Sequence, residues 1–158
     1  MSDVLHAPAS DRVRANTWPP VNEWLDSQAQ LRLREATASA SSDELTRRIT
    51  WLDHEWDFDR TLETEAALTG LIGLALGTAL DKRFLALPGV VATMLLLHAT
   101  HGWYPLLPLF RRMGVRSQDE IDRERYGLKA IRGDFTAIPR AASSAAERAA
   151  AVWKAVCE

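Results

Sequence analysis

The sequence predicts an all-α membrane protein with one hairpin of two transmembrane helices and amphipathic polar helices on both flanks. Charged residues are segregated along the chain: residues 1–60 hold 7 Lys/Arg and 11 Asp/Glu, residues 84–110 hold none, and residues 111–158 hold 10 Lys/Arg and 7 Asp/Glu. No stretch shows the alternation of apolar and polar residues that is typical of a half-buried strand. Two polar flanks therefore enclose an apolar middle segment.

The composition excludes several classes of protein. A net charge of −2 argues against a nucleic-acid-binding protein, which needs a basic face to displace counterions from phosphates. The lone Cys157 can form neither an intramolecular disulfide nor a CxxC metal or redox site. The first 30 residues contain no apolar run, so we expect no cleavable signal peptide, and any membrane insertion would use an internal segment.

The N-terminal part is predicted to be an arm followed by helices. Residues 1–20 mix proline, serine and charged residues without periodicity, and we expect a disordered arm there. Residues 21–60 are predicted to form amphipathic helices, the first of them a short helix over 21–37. That helix is indicated by a loose helical spacing of apolar residues, namely Trp24, Leu25, Leu31 and Leu33.

A second, longer helix is predicted to begin at a capping box formed by Ser41 and Glu44, in which each side chain accepts a hydrogen bond from the other residue's backbone N–H. The helix carries a narrow apolar stripe with spacings of 4, 3 and 4 residues, formed by Leu45, Ile49, Leu52 and Trp56. Because no glycine or proline occurs between residues 42 and 69, we expect this helix to run unbroken into the apolar segment 66–80.

Residues 61–110 are predicted to be the transmembrane hairpin followed by an interfacial proline-rich segment. A bilayer core needs about 20 apolar residues of helix. Residues 84–103 supply 20 uncharged positions, with Pro88 in the first turn and Gly102 as a C-terminal cap. Residues 66–80 supply only 15, so this helix crosses only if the bilayer thins locally or the residues before it lie among the headgroups.

The segment after the second hairpin helix is predicted to lie along the membrane surface. Two prolines, Pro105 and Pro108, argue against a regular helix over residues 103–110. Aromatic and basic side chains at the end of a membrane span are typical interface anchors. The predicted anchors are Trp103, Tyr104, Arg111 and Arg112.

Small residues on the first hairpin helix predict a helix-packing face. Thr69, Gly73 and Gly77 recur every four residues, a spacing that lets membrane helices approach each other closely. The alternative to a membrane hairpin is a soluble helical bundle that uses the two central helices as its core. A soluble bundle helix keeps a polar face, and residues 66–80 and 85–97 have none, so the sequence favours the membrane hairpin.

The distribution of basic residues predicts the orientation of the hairpin. The turn between the two helices offers only Lys82 and Arg83, whereas the opposite side offers more basic residues, and such residues favour the cytoplasmic side. Those on the opposite side are Arg47, Arg48, Arg60, Arg111, Arg112 and Arg116. Both termini are therefore predicted to be cytoplasmic.

The C-terminal part is predicted to form two further helices. Residues 111–135 are expected to contain a charged cytoplasmic helix that opens at a second capping box, Ser117 and Glu120, and stops at Gly133. Residues 136–158 are expected to form an Ala-rich C-terminal helix.

Residues 51–135 contain three strings that carry a resemblance: WLDHEWDFDRTLE, IGLALGTALDKRFLALPGVVA and HGWYPLLPLFRRMGVRSQDEIDRERYGLKAIRGDF. They resemble the YgaP-like transmembrane domain family of bacterial inner-membrane proteins. The resemblance implies a multi-pass hairpin in the inner membrane that tends to dimerise. In the namesake architecture a rhodanese domain is attached, and this chain looks like a stand-alone member without it. Family members commonly have GWCP, whereas this chain has Tyr104 at the position of the cysteine, which argues against a thiol role.

One pair of side chains in the hairpin suggests a cofactor. His98 and His101 lie three residues apart on one face of the second helix, and ionisable groups within a span are functional candidates. A histidine pair can bind haem or a transition metal, although the same imidazoles can also pack and hydrogen-bond at an interface. Glu63 and Glu65 could join them in a proton relay, or could simply lie among the headgroups.

No catalytic constellation is visible, so the sequence predicts a protein that is not an enzyme and needs no cofactor. We expect an integral membrane protein, surrounded by lipid, that acts by association as a homodimer or as an accessory subunit of a larger membrane complex. Two alternatives remain open: a haem- or metal-binding membrane protein that uses His98 and His101, and a soluble helical-bundle interaction protein.

Overall fold

The fold comes from a computed structural model, which describes residues 12–136, 138 and 144–157. The regular structure in these residues is helical, and no strand occurs among them. The predicted all-α fold is therefore confirmed. The helices are α1 (Arg12–Ala15), α2 (Pro19–Ser39), α3 (Ser42–Asp53), α4 (Phe58–Ala79), a 3-10 turn (Lys82–Leu85), α5 (Ala86–His101), α6 (Leu107–Arg112), α7 (Gln118–Arg132) and α8 (Ala145–Cys157).

The described residues divide into two compact units. The first comprises residues 12–27 and 56–121, and the second comprises residues 28–55 and 122–157. The first unit therefore contains the apolar middle of the chain, and the second contains only polar flanking segments.

The expectation of a disordered arm over residues 1–20 is wrong for its described part, while residues 1–11 lie outside the described residues. From Arg12 onward the chain forms α1 and then the start of α2, with Pro19 at its first position, where the missing N–H costs nothing. The reason is a tertiary contact. Val13 is buried in an apolar cluster that it shares with Phe58, Leu62, Tyr104 and Leu107.

The expectation of an unbroken helix from Ser42 into the apolar run is also wrong. Helix α3 ends at Asp53, and α4 begins anew at Phe58. Asp57 caps the new helix by accepting a hydrogen bond from the backbone N–H of Arg60 at 2.8 Å. The backbone N–H of Phe58 donates to the carbonyl oxygen of Arg116 at 2.7 Å. A cap and a long-range backbone bond thus interrupt a sequence that contains no helix breaker.

Helices α4 and α5 pack against each other in antiparallel directions. Gly73 of α4 faces Leu87 and Pro88, and Gly77, one turn later, faces the earlier residue Leu85. As predicted, α5 ends at Gly102, whose φ of 73° is left-handed and whose N–H donates to the carbonyl oxygen of His98. Helices α4 and α5 therefore form a helical hairpin.

The segment 103–110, predicted to lack a regular helix, contains most of α6. Pro108 lies in the first turn of α6, where a backbone N–H has no partner within the helix and its loss is tolerated. Leu107 is fully buried in the apolar cluster of the first unit. The two prolines argued against a regular helix here, and packing of Leu107 in the core accounts for the short helix that forms.

The second unit has a core of its own. Leu45, Ile49 and Leu52 of the predicted stripe are buried, together with Leu128 of α7. The N-cap Ser41 accepts a hydrogen bond from the Glu44 N–H at 3.3 Å, as the capping box predicts. Helix α7 is followed, as expected, by Gly133 with a φ of 93°. Lys129 of α7 donates a hydrogen bond to the carbonyl oxygen of Val156, near the end of α8, at 2.8 Å.

Candidate functional site

The best-defined polar site of the first unit is centred on Arg111, whose side chain is 0% exposed. Its guanidinium donates twice to Glu120, at 2.6 and 2.7 Å, and once each to Thr17 Oγ1, Asn22 Oδ1 and the carbonyl oxygen of Val115. These bonds use all five N–H donors that a guanidinium has. A buried cation without partners would cost many kcal/mol, so this complete pairing is what makes its burial possible.

Glu120 gathers donors from three parts of the first unit. Besides Arg111, it accepts hydrogen bonds from the backbone N–H of Ser117, at 2.9 Å, and from Arg14. Arg14 also forms a bidentate ion pair with Asp26, with N–O distances of 2.8 and 3.0 Å. We call Arg14, Thr17, Asn22, Asp26, Arg111, Ser117 and Glu120 the Arg111 cluster.

The protonation of Glu120 follows from this environment. Burial by itself would raise the pKa of Glu120, but hydrogen bonding to Arg111, the charge of Arg111, the Ser117 N–H and Arg14 outweigh burial and lower the pKa to about 2. Glu120 is therefore ionised at neutral pH, and the cluster is held together by charge-assisted hydrogen bonds.

The structure divides the four predicted interface anchors. Arg111 and Tyr104 are buried within the protein, which does not fit the exposed position of an interface anchor, and their assignment as anchors is corrected. Trp103 and Arg112 are exposed. Sequence spacing could not separate Arg111 from Arg112, because which of two adjacent arginines turns inward depends on the position of Glu120.

Tyr104 instead joins the segment after α5 to helix α4. Its hydroxyl donates to Glu65 Oε2 at 2.7 Å, and Glu65 Oε1 accepts from the hydroxyl of Thr69 at 2.9 Å. Burial raises the pKa of Tyr104, and the hydrogen bond and charge of Glu65 raise it further, to about 12. The hydroxyl of Tyr104 is thus a hydrogen-bond donor to a carboxylate.

The two histidines predicted as a cofactor pair have different surroundings. His98 is 13% exposed, its Nε2 lies 3.0 Å from Asp59 Oδ1, and its ring packs 5.4 Å from that of Phe58 between centroids. Its Nδ1 is buried and has no hydrogen-bond partner among the described residues. His101 is exposed, and its Nδ1 lies 2.7 Å from the hydroxyl oxygen of Thr100. The two imidazoles therefore share no polar partner.

A cavity of about 370 Å³ opens beside His98, lined also by Arg12, Asp59, Gly102 and Asp119. The described residues contain no group of three or more His, Cys, Asp or Glu side chains placed to hold a metal ion. His98 and Asp59 alone supply one nitrogen and one carboxylate, fewer than the three protein ligands of an ordinary catalytic zinc site. The contact between His98 and Asp59 joins the end of α5 to the start of α4.

The predicted packing face lies inside the hairpin. A Cβ atom added to Gly73 would come within 2.8 Å of both Leu87 Cβ and Pro88 Cδ, and one added to Gly77 would come within 2.5 Å of Leu85 Cδ2. The hydroxyl of Thr69, the third member of the face, is bonded to Glu65 within its own helix.

The outer surface of the hairpin is apolar. Large hydrophobic side chains that are exposed on α4, the turn and α5 are Leu68, Leu71, Ile72, Leu74, Leu80, Phe84, Leu85, Val90 and Leu96. Within the described chain, one helical segment is long and apolar enough to cross a membrane: Lys82–His101, 20 residues with a mean hydropathy of 1.5. Most of its residues are exposed, although Val91 is buried. Helix α4 does not meet the same criterion.

Several residues of these sites were missed at the level of sequence. Asp59, Asn22 and Arg14 were not named as candidate residues, and only the fold brings them to His98, Arg111 and Glu120. The capping box of Ser117 and Glu120 was visible and is present, but its spacing did not show that Glu120 also binds two arginines.

Comparison with known proteins gives no match, whether with family models, with curated proteins or with solved structures. The resemblance of residues 51–135 to the YgaP-like transmembrane domain family therefore stays a prediction that depends on the quoted motifs.

Proposed function

We propose that this chain is a non-enzymatic integral membrane protein that acts by association, as a homodimer or as an accessory subunit of a larger membrane complex. The observation that carries the proposal is the outer surface of the α4–α5 hairpin. Most residues of the apolar segment Lys82–His101 are exposed, and large side chains of α4 such as Leu71 face outward too.

A soluble protein has a simple use for an apolar helix, which is to bury it as a core. Here one face of the segment Lys82–His101 is used in this way, because Val91 is buried and Met94 and Leu95 pack against the core of the first unit. The rest of the segment is not, and Val90 and Leu96 are exposed. Contiguous exposed apolar surface of this kind is typical of interaction or membrane-facing sites. Lipid around the hairpin would remove that surface from water.

In the proposed arrangement both helices cross the inner membrane of a bacterium and both termini are cytoplasmic. Helix α4 is the shorter span, since its apolar part, residues 66–80, would extend about 22 Å at 1.5 Å per residue. A bilayer core is about 30 Å thick, and tilting would only reduce the distance that α4 spans. Either the membrane must thin locally, or the polar start of α4 must lie in the headgroup layer. The exposed Lys82 and Arg83 of the turn would lie on the side of the membrane opposite to the two termini.

The surfaces available for association differ from those that sequence suggested. Leu45, Ile49 and Leu52 are buried within the second unit, and Gly73 and Gly77 face the partner helix of the same hairpin. Contacts with another protein would therefore use the outer face of the hairpin, where Leu68, Leu71 and Ile72 are exposed on α4.

Carbonate extraction tests the membrane assignment. Expressed in a bacterium, the full chain is expected to stay in the membrane pellet at high pH and high salt, because its apolar helices would be embedded. Recovery of the protein in the soluble fraction without detergent would contradict the proposal.

Thiol labelling tests the topology. The native Cys157 is exposed and reports on the C-terminus, and the double variant Asp81→Cys, Cys157→Ser reports on the turn. In intact cells a membrane-impermeant maleimide is expected to label the turn cysteine and not Cys157. Equal labelling of the two cysteines would contradict the proposal that the chain between them crosses the membrane once and leaves them on opposite sides.

Crosslinking tests the association. In a Cys157→Ser background, Leu71→Cys places a thiol on the outer face of α4, and Ala66→Cys places one at a buried position of the same helix as the matched control. Disulfide-linked dimers, or adducts with another membrane protein, are expected only for Leu71→Cys. If no adduct formed with cysteines at several outer positions, the proposed association would be contradicted.

A further inference from the structure

A groove of about 330 Å³ lies in the first unit between α6 and the connection from α1 to α2. Asn16, Trp18, Val21, Pro108 and Arg112 are among the residues that line it, and none of its lining residues is acidic. The groove therefore combines apolar walls with donors and positive charge.

Two arginines border this groove, and only one of them is available to a ligand. Arg111 has all of its donors engaged within the Arg111 cluster. Arg112 is exposed and makes no hydrogen bond or ion pair with the described part of the chain. A cation left unpaired beside a concave surface without carboxylates is suited to an anionic partner.

The groove lies at the end of the apolar segment. The guanidinium of Arg12 donates to the carbonyl oxygen of Ala99 at 2.6 Å, and Asn16 Nδ2 donates to that of His101 at 3.0 Å. The apolar segment itself ends at His101. The groove residues that follow Asn16 are thereby held beside the last turn of α5, which is the headgroup level if this helix crosses a membrane.

Exposed side chains next to the groove have the composition of a membrane interface. Trp18, on its wall, is 63% exposed, and Leu109 and Met113 on and after α6 are 52% and 69% exposed. Tryptophan is enriched at the headgroup level because its ring is amphipathic, and basic side chains there attract anionic lipids.

We propose that this groove binds the headgroup phosphate of an anionic phospholipid, with Arg112 as its cation and Trp18 as the aromatic wall. The inference rests on the proposed membrane insertion and specifies the lipid that the hairpin selects. The source of the anion is the bilayer itself, because the groove opens beside the end of the apolar helix.

The test uses the full chain reconstituted in phosphatidylcholine vesicles that contain a trace of spin-labelled lipid. Electron paramagnetic resonance measures the motionally restricted fraction for spin-labelled phosphatidylglycerol and for spin-labelled phosphatidylcholine. The wild type is expected to restrict more of the phosphatidylglycerol label. Arg112→Gln is expected to reduce this preference by up to about fivefold, because one arginine near the surface contributes on the order of 1 kcal/mol.

Three matched variants make the result specific. Arg112→Lys keeps the charge and is expected to keep most of the preference. Arg83→Gln removes an exposed arginine at the other end of α5, away from the groove, and is expected to change little. Trp18→Ala removes an exposed ring, leaves the core intact and is expected to weaken the preference while the charge remains.

The outcomes separate this inference from the proposed function. If the protein does not float with the vesicles after a carbonate wash, the membrane proposal and this inference both fail. If it floats but the wild type shows no preference, or Arg112→Gln and Arg83→Gln behave alike, only the headgroup site is overturned. A preference that disappears as the protein-to-lipid ratio rises would identify a second copy of the chain as the occupant, and would also overturn it.

Discussion

The Arg111 cluster and the outer surface of the α4–α5 hairpin belong to the same unit and distribute polarity in opposite ways. In the cluster a guanidinium is fully buried, whereas on the hairpin leucines such as Leu71 are exposed. The first arrangement is stable because each donor of Arg111 has an acceptor. The second is typical of surfaces that contact lipid or another protein. Exposure alone therefore does not tell which surface of this chain faces water.

The largest effect is expected from removing the centre of the cluster. Arg111→Ala leaves Glu120 buried with fewer donors, and breaking a buried pair in this way costs about 3–5 kcal/mol. The free energy of unfolding, measured by denaturant titration in mild detergent, is expected to fall by that amount. The neighbouring Arg112→Ala is the control and should change it little, because Arg112 is exposed. Equal effects of the two substitutions would contradict the distinction drawn here.

Acid is expected to weaken the same cluster. The pKa of Glu120 is about 2 in the folded chain, below its ordinary value of 4.5, so its contribution to stability is present above pH 4.5 and is lost as the pH falls toward 2. The difference in unfolding free energy between wild type and Glu120→Gln should therefore be largest near neutral pH and shrink over this range. A difference that is constant from pH 7 to pH 2 would show that folding does not lower the pKa of Glu120.

A smaller effect is expected at the glycines of the hairpin. Gly77→Ala introduces a Cβ atom 2.5 Å from Leu85 and should cost about 1–3 kcal/mol of overpacking. Gly70→Ala is the matched control, because nothing lies within 4 Å of its added Cβ atom, and it should gain up to about 1 kcal/mol of helix propensity. Thermal unfolding in detergent measures both. If Gly77→Ala instead left stability unchanged and reduced crosslinked dimers, the face would serve association between chains.

The smallest effect is expected at Tyr104. Tyr104→Phe removes one hydrogen bond to Glu65 and should lower the free energy of unfolding by about 1 kcal/mol at neutral pH. Because the pKa of Tyr104 is about 12 in the fold and 10.0 ordinarily, the wild type should also lose stability as the pH rises from 10 toward 12. The phenylalanine variant should lack that part of the alkaline loss. Identical alkaline profiles would indicate that the hydroxyl is solvated.

Local signals in the sequence predicted the ends of helices well. Gly102 and Gly133 both have positive φ, and the Ser117–Glu120 box forms both of its hydrogen bonds. Such signals act over three or four residues, so they can be recognised without knowledge of the fold. The two-span membrane hairpin stays a proposal, because one segment only, Lys82–His101, satisfies the length and hydropathy that a span needs within the described chain.

Long-range contacts account for what the sequence did not reveal. The break between α3 and α4 depends on Asp57 and on the bond of the Phe58 N–H to Arg116, and the choice of Arg111 over Arg112 depends on Glu120. Tyr104 was assigned to the interface because aromatic residues are common there, yet Glu65, 39 residues away, draws it inward. Arg116 and Glu65 are distant in sequence from Phe58 and Tyr104, so no local spacing indicates these contacts.

The bonds of α1 to the end of α5 constrain the order of biogenesis. Arg12 and Asn16 donate to carbonyl groups 87 and 85 residues later in the chain, so neither acceptor exists when α1 leaves the ribosome. The helix that is translated first among those described therefore docks after α5 has been synthesised. Translation at about 5–20 residues per second would separate the two events by several seconds. During that interval Val13 has no core to enter, and the amino-terminal segment is open to chaperones and proteases.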